Sequence, residues 1–162
     1  ILTLLSLFTV TFYYAMNATN IYIILKDGMA KRAQVIMMEE DASELTKFFQ
    51  SSYLQRDQNL QIALEGKSPY TYYTVRGIDH RLKMTWMWCW PWDTTARAEF
   101  TETIPRIDGR VKSSSADAAR ALYGDGFEYP PKWQGGRYAA TLVKENGQWH
   151  VRSLTLLAQV DE

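Results

Sequence analysis

The chain has 162 residues, enough for one domain of ordinary size built on a single core. Lys plus Arg equals Asp plus Glu at 18 each, so the charge balance gives no support to a nucleic-acid partner, whose phosphates call for surplus cations. The one cysteine, Cys89, closes no disulfide within the chain, and His80 and His150 lie too far apart for metal-ligand spacing, so no metal or other cofactor is expected.

Ile1 to Leu25 contains no charged side chain, and Ile1 to Met16 is almost wholly Leu, Ile, Phe, Tyr, Val and Thr. At ~1.5 Å per residue a helix of this length spans more than the ~30 Å hydrocarbon core of a bilayer, so residues 1–25 are expected to form a transmembrane helix. Asn17, Thr19 and Asn20 put a polar notch two-thirds of the way along. A cleaved signal peptide is the rival reading, but residues 15–20 make a poor small-x-small cleavage site and no charged segment precedes the apolar run; a buried core helix is the third. Lys26, Lys31 and Arg32 follow, in an expected juxtamembrane helical linker, residues 26–40. These cations favour a cytoplasmic C-terminal side if nothing comparable precedes Ile1, a comparison that the start of the sequence does not allow.

Residues 41–162 read as the water-soluble domain. Asp41-Ala42-Ser43-Glu44 has the acceptor-x-x-Glu pattern of a helix first turn, and Leu45, Phe48, Phe49, Ser52 and Tyr53 recur at three-and-four spacing, which predicts an amphipathic helix. It extends through Leu60 and Leu64, with Arg56-Asp57-Gln58-Asn59 as a candidate break, until Gly66-Lys67-Ser68-Pro69 ends it. After Pro69 the period changes to two, predicting strands over Tyr70–Ile78, Arg81–Trp90 and Thr95–Ile104, with Pro91-Trp92-Asp93-Thr94 as the turn between the last two. Ser113–Tyr123 is Ala-rich and reads as a short helix, and Gly124–Gly136 as a loop. Asn146-Gly147 is a pair that tolerates positive φ at both centres of a tight hairpin, which sets Val143 opposite His150, Leu142 opposite Val151 and Ala140 opposite Ser153. Tyr138, Ala140, Leu142, Trp149 and Val151 then share the buried face, and Arg137, Thr141, His150 and Arg152 the wet one.

This order of elements, and above all the ending YAATLVKENGQWHV over Tyr138–Val151, resembles the nuclear-transport-factor-two-like superfamily. The resemblance covers roughly Asp41 to Val160 and implies a strongly curved antiparallel sheet wrapped on helices as a cone. The sequence departs from that pattern in having no clear strand before Tyr70 and a long Ser113–Gly136 connection. A membrane helix feeding such a cone is similar in architecture, with no shared motif, to the inner-membrane assembly subunit of bacterial type IV secretion and conjugation machines. The likeness implies a single-pass cell-membrane protein with an extracytoplasmic domain, and protein partners or self-association in an envelope assembly.

On the predicted strand, Met84, Trp86, Trp88, Trp90 and Trp92 fall on one face at intervals of about 6.8 Å. The expectation is that these indoles fill the core against Phe48, Phe49, Tyr53 and Phe100; the competing one is a wall for a small-molecule ligand. Trp86, Trp88, Trp90 and Trp92, with Tyr73 and Glu102, are the candidate ligand or partner surface. Cone-fold enzymes of the isomerase and dehydratase type work with a buried acid or a His-Asp pair. Asp79 and His80 are adjacent but point apart on a strand and read as a turn cap; Glu102 shares the parity of Phe100 and reads as a lone acid or a peripheral pair with Arg or Lys. No nucleophile elbow, phosphate loop or metal motif is present, and no catalytic residue is assigned. A non-enzymatic interaction domain is therefore the leading expectation, with a Trp-lined binding or enzymatic cone as the alternative.

Overall fold

The computed structural model describes residues 1–161. It is an α+β fold in which a curved antiparallel sheet packs on helices. Helix α1, Leu2–Met38, runs for 37 residues without a break. From Asn17 onward its buried positions, Asn17, Ile21, Leu25, Gly28, Met29, Arg32, Ala33 and Ile36, recur at three-and-four spacing and form one stripe against the core. Gly28 is there for clearance, since a Cβ at this position would meet the Phe48 Cβ at 2.8 Å. The helix stops where Glu39 turns to φ 54°, and Lys112 holds that carboxylate at 3.1 Å.

No helix among the described residues is long and apolar enough to cross a membrane. The expected transmembrane span over 1–25, and with it the single-pass cell-membrane localisation, is thereby overturned. Thr3, Ser6, Thr9, Thr11, Tyr13 and Tyr14 dilute the apolar run, and from Asn17 the helix turns its stripe into the protein core rather than toward lipid. Residues 26–40 are likewise no linker, because Met29, Arg32, Ala33, Val35, Ile36 and Met37 are buried in the core. The architectural likeness to an inner-membrane assembly subunit rested on that span and falls with it.

The helix expected from Asp41 onward is broken into three pieces. A 3-10 turn, Ala42–Lys47, is followed by α2, Ser51–Leu54, and α3, Gln58–Leu64. The Asp41 carboxylate accepts from the Ser43 backbone N–H at 3.0 Å, and Asp57 caps α3 by accepting from Leu60 N–H at 3.3 Å. Between the first two pieces the chain is extended, because Phe49 bridges to Val151: Gln50 N–H donates to Val151 C=O at 2.9 Å and Val151 N–H to Phe48 C=O at 2.7 Å.

Six strands follow: β1 Tyr73–Ile78, β2 Arg81–Trp88, β3 Thr95–Thr103, β4 Ile107–Val111, β5 Gly135–Glu145 and β6 Gln148–Val160. They form a four-stranded sheet in the order β2-β3-β5-β6 and a two-stranded one of β1 and β4. The two are joined at paired corners, where Asp79 N–H donates to Arg106 C=O at 2.9 Å. Register shifts after Val75, Met84, Arg137 and Thr141 mark bulges that bend the strands. A further helix, α4 (Ala116–Tyr123), precedes the loop to β5. The core gathers the α1 stripe, Leu45, Phe49 and Leu60 against Ala96, Ala98, Phe100, Ala140, Leu142, Trp149 and Val151 of the sheet.

Asn146 and Gly147 take φ 50° and 78°, as the hairpin requires. Val143 faces His150 and Leu142 faces Val151 as expected, but Arg152 is bulged out, so Ala140 faces Leu154 instead of Ser153. Strand β4 was not read from the sequence. Its buried position is Gly109, where a Cβ would meet Pro130 Cγ and the Thr74 carbonyl, each at 2.9 Å, so no apolar side chain marks the period.

Candidate functional site

The expected tryptophan wall exists, but it faces outward. On β2 the pairs Leu82–Glu102 and Met84–Phe100 lie on the inner face of the sheet, whereas Trp86 pairs with Glu99 and Trp88 with Arg97, which point outward. Thr85 is the extra residue, and its hydroxyl donates to Glu99 C=O at 3.1 Å. A bulge of one residue exchanges the faces of everything beyond it. Met87 and Cys89 therefore take the inner parity and the indoles the outer one, which corrects the expectation that Trp86 and Trp88 fill the core.

Trp86, Trp88 and Trp90 are 49%, 46% and 46% exposed and Trp92 is 70% exposed. Three of them form a continuous stack. Trp90 lies parallel on Trp92 with centroids 5.4 Å apart, and Trp88 meets Trp90 edge-on at 5.0 Å. The row is joined to α1 by Tyr14, whose ring lies 6.2 Å from Trp88 and whose hydroxyl donates to Met87 C=O at 3.4 Å. One turn further, the Asn17 amide donates to Pro91 C=O at 3.4 Å and contacts the buried Cys89 sulfur at 3.9 Å. Burial pushes the Cys89 thiol up, which keeps it protonated and a poor nucleophile.

Beyond Tyr14 the helix leaves the rest of the protein. Leu2, Leu4, Leu5, Leu7, Phe8, Val10 and Phe12 are all exposed, on every side of the helix. The hydroxyls of Ser6, Thr9 and Thr11 donate back to the carbonyls of Thr3, Leu5 and Leu7, each at 2.9 Å. The arm therefore presents almost no unsatisfied polar group. Arm and indole row together make one apolar surface that no part of the described chain covers.

The other two candidate residues lie elsewhere. Tyr73 is buried, 6.3 Å from the Tyr123 ring, and its hydroxyl finds no partner; burial, helped by Tyr123, raises its pKa. Glu102 is fully buried on the inner face of β3 and is neither lone nor paired with Arg or Lys. Its Oε2 sits 3.0 Å from His80 Nε2, and its Oε1 accepts from Trp133 Nε1–H at 3.2 Å. His80 is two residues before Leu82 and so lies diagonally across from Glu102 on the same face, while Asp79 turns out to pair with Arg81 at 2.8 Å.

Trp133 is the functional candidate that sequence reasoning missed, since nothing in Pro130-Pro131-Lys132-Trp133 announces a partner on β3. Its ring is also the shared wall of two cavities. One, of about 430 Å³, is bounded by Ile104, Arg106, Lys132 and Val160; the other, of about 210 Å³, by Asn59, Tyr138 and Leu156.

Deeper in the core, the Arg32 guanidinium binds Asp57 through two of its nitrogens, Nε to Oδ2 at 2.5 Å and Nη2 to Oδ1 at 2.9 Å. Tyr53 also donates to Asp57, at 3.3 Å. Burial alone pushes the Asp57 carboxyl up, but Arg32, Leu60 N–H and Tyr53 together hold it below the usual carboxylate range. With both side chains buried and bonded to each other, the pair is a structural clamp between α1 and α3. Among the described residues there is no cluster of His, Cys, Asp and Glu able to hold a metal ion.

Comparison of the chain with family models, with curated proteins and with solved structures found no match.

Proposed function

We propose that the chain is a non-enzymatic protein-interaction domain, a cone of the nuclear-transport-factor-two-like type that works as a subunit of a larger protein assembly through its projecting helix. The observation that carries this reading is the arm Leu2–Phe12, apolar and exposed on all sides. A helix that is hydrophobic all round is one that is buried in its working state. Because the hydroxyls of Ser6, Thr9 and Thr11 are already bonded to the arm's own backbone, covering its length strands few polar groups. The occupant that fits is a protein offering a helix-lined apolar groove, with the row Trp88, Trp90 and Trp92 as the aromatic anchor at its rim. The test is photocrosslinking from benzoylphenylalanine placed at Phe8 and at Trp92 in cells that make the protein. Adducts with one and the same protein from both positions are expected; adducts from neither would overturn the reading.

A small-molecule-binding or isomerase-like cone is the second reading. It is favoured by the cavity of about 430 Å³ whose Trp133 wall is bonded to the buried Glu102, which in turn meets His80. Trp133→Phe removes that bond and leaves the arm untouched, so an assay in which this variant loses function while arm variants keep it would favour the second reading over the first.

A further inference from the structure

Strand β6 is the outer strand of the four-stranded sheet and is 13 residues long. Its beginning is covered by the bridge between Phe48, Gln50 and Val151. Past that bridge, among the described residues, β6 pairs only with β5, and the one additional bond to its backbone is from the Gln134 amide to Val160 C=O at 3.2 Å. The outer row of N–H and C=O groups from Arg152 to Gln159 is open.

Sheet proteins ordinarily blunt such an edge with lysine, proline or inward charges. Ser153 to Val160 reads SLTLLAQV and has none of these, the bulge at Leu157 being its one interruption. Thr155 through Gln159 are all exposed, with Leu156 at 50% and Leu157 at 42%. Leu156 stands opposite Tyr138 on the inner face, and Leu157 is the bulged residue beside it, so the edge offers an apolar side chain next to an unpaired backbone.

The charges at the two ends indicate the occupant. Arg152 precedes the uncharged stretch and Asp161 follows it. Antiparallel pairing of the stretch with itself lays Arg152 of one copy alongside Asp161 of the other, twice per pair, whereas parallel pairing would bring like charges together. The equal count of 18 cationic and 18 anionic side chains adds no long-range repulsion between copies. We propose that the free edge Arg152–Val160 pairs antiparallel with the same edge of a second copy, joining the two four-stranded sheets into one continuous sheet about a two-fold axis. This interface is separate from the arm of α1.

Sedimentation velocity on the full chain tests it. A dimer is expected, and Leu157→Lys should weaken its association by at least about tenfold. Arg152→Asp and Asp161→Arg should each weaken the dimer, and the two combined should restore it, a result that loss of folding cannot produce. Phe8→Lys, on the arm, should leave the dimer intact. A monomeric parent protein, a dimer indifferent to Leu157→Lys, a charge reversal that does not rescue, or a dimer lost only on Phe8→Lys would each overturn the inference.

Discussion

Replacing Asp57 by alanine would leave the Arg32 guanidinium, itself only 6% exposed, without its counter-ion inside the core. Orphaning one member of a buried pair costs about 3–5 kcal/mol, because the remaining charge keeps its desolvation penalty and loses its attraction. Asp57 is also the cap of α3, and losing the bond from Leu60 N–H adds about 1 kcal/mol. Against a total stability of about 5–15 kcal/mol for a domain, the variant should be folded but badly weakened. For a chain of this size the thermal midpoint should drop by roughly 8–24 °C. Arg32→Met combined with Asp57→Leu should recover most of that loss, since it removes both charges and keeps apolar volume. The acid limb supplies a second reading. Asp57 is held below its ordinary pKa in the folded state, so its contribution is complete at neutral pH and is lost as the pH falls through the usual carboxylate range toward the lowered value. Asp57→Ala should lack that component of acid unfolding. Denaturant melts of the parent, the single variant and the double variant at neutral and acid pH decide the matter. An Asp57→Ala midpoint equal to the parent's, or a double variant no better than the single, would refute the reasoning.

Three other outcomes are expected. Trp88→Ala should lower the unfolding midpoint far less than the 3–5 kcal/mol typical of a buried tryptophan, and its removal should subtract a component that acrylamide readily quenches. Gly147→Val should cost about 1–3 kcal/mol through backbone strain alone, because a Cβ there meets nothing within 4 Å while φ is +78°; an unchanged urea midpoint would count against the turn. Glu102→Ala should destabilise by about 1–3 kcal/mol for each group it strands, His80 and the Trp133 N–H, and Glu102→Gln, which keeps an acceptor for the indole, should cost less in the same melts.

How far the fold could be read from the sequence depended on whether a local signal and a tertiary contact agreed. At Asn146-Gly147 they did, because the turn needs positive φ at two positions and few residue pairs supply it. The register held back to Leu142 and then slipped at Arg152, a bulge that no local pattern records. At Phe48–Gln50 they disagreed. The three-and-four spacing of Leu45, Phe48, Phe49, Ser52 and Tyr53 favours a helix, but hydrogen bonds to Val151, far along the chain, draw Phe49 into a bridge and leave Gln50 extended. Glu102 was placed on the inner face by its parity with Phe100, but its partners arrive from a strand corner and a proline-rich loop.

The indoles show why exposure is harder to read than secondary structure. Alternation along β2 is a running count, and the single extra residue at Thr85 reverses which side every later residue faces. Without the bulge, Trp86 and Trp88 would fall on the inner face, where Met87 now packs and Cys89 is buried. The bulge therefore puts small or flexible side chains inside and a stack of rings outside. Tyr14 and Asn17 of α1 then bond to the backbone at Met87 and Pro91 beside that stack, so the point where the helix leaves the core is fixed to the strand that carries the indoles. Arm and aromatic row are thus held in one orientation by the folded domain. A surface fixed in this way would lose little freedom on docking, the physical advantage that the proposed role would draw from an arm that continues the core helix rather than ending in a loose tail.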